Sequence, residues 1–76
     1  VTDRELCRRF AENMRRCRQS AGLSYDALGD RADLHKSEID KLEKAQREPR
    51  LTTIFRVAAG LRVSPCHLLD GIDQPD

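Results

Sequence analysis

No stretch of the sequence approaches the roughly 18 consecutive apolar residues of a membrane-spanning helix, and no basic, apolar and small-residue succession marks a signal peptide. These absences lead us to expect a soluble, cytoplasmic domain with no membrane partner. Tryptophan is missing as well, while 38% of residues are hydrophobic and 36% charged. That balance is too apolar for a disordered chain and too polar for a membrane protein. The three cysteines, Cys7, Cys17 and Cys66, are odd in number and lack CxxC spacing, which argues against a disulfide framework and a zinc knuckle. Cys66 stands beside His67, but small reduced thiols near a core are the simpler reading, and no metal or other cofactor is expected.

Catalysis has little to work with. A chain of 76 residues buries only about 60% of the surface its unfolded form exposes, too little for a deep cleft. Two scattered histidines, with no nucleophile or metal motif, leave no set of groups from which an active site or small-molecule site assembles. An excess of one charge is also missing: 14 basic against 13 acidic residues give a net +1. Bulk electrostatics therefore do not announce a nucleic-acid binder. The distribution is less even, because residues 1–22 carry six arginines against three acids and residues 23–34 carry one against three.

What is present is helical periodicity without repeats or low-complexity linkers. Thr2 to Glu5 has capping-box spacing, with the Thr2 oxygen at the cap and Glu5 reaching back. From there to about Ser20, Leu6, Phe10, Met14, Cys17 and Ala21 fall within an arc of roughly 80°, a single buried stripe. Gly22 ends this helix, and Ser24 caps a second that runs to about Ala32 with Leu28 and Ala32 inward. Gly29 between them reads as a seat for another helix, or else as a tolerated surface glycine. A third helix is expected from near His35 to near Lys44, fastened by Ile39 and Leu42, with Leu34 anchoring the turn before it. The fourth covers about Leu51 to Leu61, and its apolar residues spread around most of its circumference, which predicts a central position. Ser64 and Pro65 open a short fifth helix ending at Leu69 and Asp70. Residues 1–70 thus form one domain and 71–76 a C-terminal tail.

Five short helices, the second and third joined by a turn of about three residues, are the makings of a helix-turn-helix domain. From about Phe10 to Gly71, "GLSYDALGDRADLHKSEIDKLE" followed by "PRLTTIFRVAAGLRVSPCHLL" resembles the phage Cro and repressor (Xre-like) helix-turn-helix family. The joint spacing of Gly22-Leu23-Ser24, Leu28, Ala32, Leu34, Ile39, Leu42-Glu43, Pro49, Val63-Ser64-Pro65 and Leu68-Leu69 carries the resemblance. It implies a compact, all-α, five-helix fold like that of the lambda repressor. Departures occur at Asp33, Ala45 and Arg62, where the family favours glycine. Positive φ suits Asp but is costly for Ala or Arg, so helices three and four are expected to end in looser turns without a glycine-type cap. Tyr25 stands where Gln is common, and Arg50 where Ser or Thr usually caps helix four.

At 100° per residue, with Ile39 and Leu42 inward, Ser37 and Lys44 point almost directly outward. Lys41 and Asp40 lie beside them, Lys36 is at the flank, and Glu38 is nearer the side. Lys36, Lys41 and Lys44 against Asp40 leave this face at +2. The resemblance implies base reading by Lys36, Ser37 and Lys41, with Asp40 added, and phosphate binding by Ser24, Tyr25, Lys44, Arg47 and Arg50. For Lys44, Arg47 and Arg50, ordinary solvated charge is the alternative. Asp40 is open to three readings: an acceptor for a cytosine amino group, a guard against indiscriminate binding, or a protein contact. The resemblance also implies an ion pair between Arg18 and Glu43, the alternative being two solvated side chains. His35 reads as a cap residue of the turn rather than a pH switch.

The leading expectation is a sequence-specific transcriptional regulator, of repressor type, that binds double-stranded DNA as a homodimer on a palindromic operator. One short helix covers too few base pairs alone. Leu69 and Ile72 are candidate dimer contacts; alternatively Leu68 and Leu69 both cap the core. The competing expectation is a protein-interaction module that keeps the helical core without reading a groove. Near-neutral charge, Glu38 and Asp40 favour it, and the lysines of helix three disfavour it.

Overall fold

The computed structural model describes residues 2–72, which form α1 (Asp3–Ser20), α2 (Tyr25–Ala32), α3 (Lys36–Glu43), α4 (Leu51–Leu61) and α5 (Pro65–Leu68). No strand occurs among the described residues, so the chain has the all-α, five-helix architecture that the sequence predicts. Val1 and, within the expected tail, residues 73–76 lie outside the described residues.

Helix starts follow side-chain acceptors. Thr2 Oγ1 accepts from the Glu5 N–H at 3.1 Å, Ser24 Oγ from Ala27 at 3.1 Å and Ser64 Oγ from Cys66 at 3.3 Å. Each satisfies one of the backbone donors that the first helical turn leaves without a partner. The reciprocal half of the Thr2 box is not made. The Glu5 carboxylate instead runs along the helix to Arg9 Nη2 at 3.1 Å and Arg8 Nη2 at 3.6 Å, where it meets full positive charges.

Four helix ends share one backbone device. A residue in the left-handed region, Gly22 (φ 69°), Asp33 (φ 57°), Ala45 (φ 56°) or Arg62 (φ 59°), lets the next N–H reach back five residues. Those bonds are Leu23 to Arg18 (3.1 Å), Leu34 to Gly29 (2.8 Å), Gln46 to Lys41 (2.9 Å) and Val63 to Ala58 (3.0 Å). The expectation of looser, uncapped ends after α3 and α4 is therefore wrong. Ala45 and Arg62 take the conformation usually left to glycine. The steric cost of about 1–2 kcal/mol is offset by carbonyls satisfied at the helix end. After three of these turns the next residue, Leu23, Leu34 or Val63, also packs against the core.

Phe10 and Met14 of α1, Leu28 and Ala32 of α2, Ile39 and Leu42 of α3, Val57, Ala58 and Leu61 of α4 and Leu68 of α5 make that core. The central place expected for α4 is not what forms. It buries Val57, Ala58, Gly60 and Leu61 while leaving Leu51 71% and Phe55 57% exposed, one turn apart to one side of the buried face. Periodicity shows how far apolar residues spread around a helix but not which neighbours arrive to cover them. Gly60 lets α4 settle on α2, since a Cβ there would lie 3.1 Å from the Ala32 nitrogen. At Gly29 a Cβ would lie 2.6 Å from the Leu34 carbonyl oxygen, so the close neighbour is the backbone of the turn into α3 rather than a helix.

Asn13 is buried on α1 and donates to the carbonyls of Leu68 (3.0 Å) and Asp70 (2.9 Å), which ties down the end of α5. Beyond it, Arg9 Nη1 donates to the Gly71 carbonyl at 3.0 Å. All three cysteines are free thiols; burial pushes the Cys7 thiol up, and the charges of Glu48 and Asp3 add to that. Among the described residues no three His, Cys, Asp or Glu side chains gather as metal ligands, and no helix is long and apolar enough to cross a membrane.

Relief of the two left-handed non-glycine positions is measurable. Ala45→Gly and Arg62→Gly each remove a strained Cβ but add unfolded-state freedom, for a net stabilisation of about 0.5–1 kcal/mol. Thermal melts should rise by roughly 2–6 °C for each. Unchanged or lower melting temperatures would show that these positions carry no strain.

Candidate nucleic-acid interface

The geometry of α3 follows from two fully buried side chains, Ile39 and Leu42, which fix its rotation. Lys36, Ser37, Lys41 and Lys44 are exposed on its other sides, uncovered by the chain itself, while Glu38 and Asp40 are half-buried. At its start His35 acts as the cap. Its Nδ1 accepts from the Ser37 N–H at 3.1 Å and lies 2.9 Å from Ser37 Oγ, which places the ring proton on Nε2.

Glu43 anchors the other end. Its side chain has 0% exposure and meets Arg18 through Nε–Oε2 at 2.5 Å and Nη2–Oε1 at 3.1 Å, with Arg15 Nε at 3.5 Å. Arg18 also donates to the Leu23 carbonyl at 2.9 Å, and its guanidinium carbon sits 4.6 Å from the centre of the Tyr25 ring. One side chain of α1 thereby holds the turn before α2, the first residue of α2 and the last of α3. The hydrogen bond to Glu43 raises the Arg18 pKa above its ordinary value, against the opposing effect of burial. With the folded pKa raised, the stabilisation is complete below the unfolded value and is lost only at pH far above neutrality.

Two grooves flank α3. The first, about 560 Å³, is lined by Ser24, Tyr25, Asp26, Lys36, Ser37 and Asp40. It brings three of the residues expected to read bases beside two expected to bind phosphate. The second, about 550 Å³, lies where α3 leads into α4 and is lined by Glu38, Arg47, Arg50, Thr52, Thr53 and Arg56, with Leu34 and Glu48. Arg50 caps α4 without a side-chain bond, and the first turn of α4 contains no acid. Two of the expected phosphate-binding cations are engaged within the protein. Lys44 Nζ lies 3.1 Å from Asp40 Oδ1, and Arg47 pairs with Glu38. Lys36 and Lys41 have no carboxylate partner among the described residues.

The family model described as Helix-turn-helix (HTH_3) matches residues 14–68, from the middle of α1 through α5. This chain belongs to the Xre/Cro-like helix-turn-helix family of DNA-binding transcriptional regulators. Among solved structures, the restriction-modification controller protein C.AhdI from Aeromonas hydrophila is 29% identical with a TM-score of 0.80, over 82% of this chain and 94% of that one. An HTH_3 family transcriptional regulator from Vibrio cholerae is 27% identical with a TM-score of 0.86, over 88% of this chain but 38% of that one. The hypothetical transcription factor NHTF from Neisseria is 28% identical with a TM-score of 0.81, over 91% and 80%. No match was found among curated proteins.

Sequence reasoning missed several contributors to this helix-turn-helix site. Arg15 as a second partner of Glu43 has no local signal, because it depends on how α1 crosses α3. Thr52, Thr53 and Arg56 enter the second groove through the path of residues 45–50. The Asp40–Lys44 pair, by contrast, is spaced i, i+4 on one helix and was readable as a contact.

Removing Arg18 strands a buried carboxylate. Arg18→Ala should cost about 3–5 kcal/mol in urea unfolding, whereas Arg18→Met with Glu43→Met should recover most of that loss. Arg15→Ala, on a half-exposed partner, should stay within about 0.5 kcal/mol. Equal costs for Arg15→Ala and Arg18→Ala would refute the unequal roles assigned to them.

Proposed function

We propose that this protein is a sequence-specific transcriptional regulator that lays α3 in the DNA major groove, acting from the cytoplasm as a homodimer on a palindromic operator. The observation that carries the reading is the uncovered row Lys36, Ser37 and Lys41 on a helix whose rotation two buried residues fix. Lysine ammonium groups donate to guanine O6 and N7, and a serine hydroxyl donates or accepts at either kind of base. Asp40 is able to accept from a cytosine amino group only by sharing itself with Lys44. Ser24 and Tyr25 on one side and Lys44, Arg47 and Arg50 on the other grip the phosphates bordering the groove, which sets register without reading sequence.

Two copies are required because one α3 spans too few base pairs, and half-sites about 34 Å apart suit a twofold dimer. The largest exposed apolar side chains are Leu51, Phe55 and Leu69, at 71%, 57% and 45%. They belong to α4 and to the end of α5, helices that pack on each other. This face is the proposed dimer surface, in which Phe55 takes the leading part and Leu69 a supporting one. Ile72 is half-buried and contributes at its edge, while Leu68 is fully buried and serves the core alone. A protein-interaction module without groove reading is less favoured, since Lys36 and Lys41 stand unpaired on the outward face.

Filter binding to mixed genomic fragments at several salt concentrations tests the DNA reading. Affinity should fall steeply with salt as phosphate contacts release counterions. Lys41→Ala should alter sequence preference at a cost of about 1–3 kcal/mol on the preferred site, and Arg50→Ala should weaken all sites alike. Folded protein that shows no salt-sensitive binding to any duplex would overturn it. For the dimer surface, Phe55→Asp should shift sedimentation equilibrium from dimer to monomer, and an unchanged mass would exclude this face.

A further inference from the structure

The groove between α3 and α4 gathers Arg47, Arg50 and Arg56 with Thr52 and Thr53. Arg50 and Arg56 have no carboxylate within ion-pair distance among the described residues. Arg47 is different: its Nη1 is held by the carboxylate of Glu38, nine residues earlier on α3. Arg47 keeps 47% side-chain exposure and Glu38 25%, and ion pairs this open to water contribute little to stability. Stability therefore does not account for an acid set against an arginine at the edge of the reading helix. Chemistry does, because a carboxylate offers a guanidinium the same negative oxygens that a phosphodiester offers.

We propose that Glu38 tempers the affinity for DNA by competing with the DNA phosphate for Arg47. The inference rests on the DNA-binding reading above and adds a role to a residue that touches no base. In the free protein Glu38 occupies Arg47. On docking, Arg47 exchanges Glu38 for a phosphate, and the released carboxylate is left facing a strand of negative charge. Every duplex is penalised by about the same factor, so sequence-independent binding, which has no base contacts to add, is the first to drop below working concentrations. A site that also engages Lys36, Ser37 and Lys41 overcomes the exchange through its base contacts. Asp40 repeats the arrangement on the same helix by holding Lys44 at 3.1 Å.

Glu38→Gln keeps the shape of the side chain and removes its charge. Binding is measured to a random-sequence duplex and to the preferred duplex recovered by selection, with thermal melts to verify folding. At about 50 mM salt the variant should bind the random duplex up to about fivefold more tightly, the most that release from so exposed an ion pair returns, with an unchanged log–log salt slope because Arg47 meets a phosphate in both complexes. The gain on the preferred duplex should be of similar size, so both affinities rise while the ratio between them holds. In an Arg47→Ala background Glu38→Gln should gain less than about twofold, because the cation it frees is gone. Wild-type binding with no change in Glu38→Gln overturns the inference alone. So does an equal gain in the Arg47→Ala background, which would reduce Glu38 to long-range repulsion. Absence of duplex binding by every variant and the wild type at all salt concentrations overturns the DNA reading and this inference with it.

Discussion

A carboxylate with no access to water cannot stay charged without partners, and Glu43 obtains them from α1. That requirement organises the molecule. Arg18 must lie across the end of α3, and in doing so it also satisfies the Leu23 carbonyl and packs over the Tyr25 ring. The C-terminal end of α3 is thus fixed relative to α1 and the start of α2 by directional bonds, which define an orientation more sharply than apolar contact does. A well-packed apolar pair of the same volume would cost less desolvation, so the ion pair's contribution is to orientation more than to net stability. The middle of α3 is held by Ile39 and Leu42, and its entry is confined by the backbone contact at Gly29. Three constraints of different kinds leave it little freedom to roll, so the residues on its outward face keep a fixed direction.

The recurring left-handed turn supplies the second constraint. Ending α1, α2, α3 and α4 in the same way turns the chain after each, and connections of three to seven residues follow. At Gly22 the backbone adopts the turn without steric cost and at Asp33 with little, whereas at Ala45 and Arg62 it does so against the preference of a side chain. Tertiary packing therefore dictates the turns: Leu34 and Val63 reach the core only if the preceding residue goes left-handed. Residue identity modulates the strain and not the path.

This distinction explains which parts were legible in the sequence. Thr2, Ser24 and Ser64 mark helix starts because the interaction spans two or three residues and depends on nothing remote. The stripe of α1 and the inward pair of α3 are legible for the same reason. The ends at Ala45 and Arg62 were misread, because a rule about side-chain preference was applied where a distant gain decides. The apolar spread around α4 predicts a central helix, yet no element among the described residues covers Leu51 and Phe55. Asn13 carries no local signal at all, since its bonds run to carbonyls 55 and 57 residues away.

The near-neutral composition acquires a physical meaning once the charges are located. Of the cations around α3, Arg15 and Arg18 neutralise Glu43 inside the fold, and Lys44 and Arg47 are matched on the surface by Asp40 and Glu38. Among the described residues Lys36 and Lys41 on the outward face enter no ion pair, nor do Arg50 and Arg56 in the groove beside it, which Glu38 and Glu48 also line. A surface so arranged has a weak long-range field, since opposite charges a few ångströms apart cancel beyond a Debye length of about 8–10 Å. At contact the cancellation no longer holds, because each cation then responds to the nearest oxygen. Such a surface offers a distant polyanion little attraction, and at contact its response depends on which of its cations the polyanion's oxygens reach.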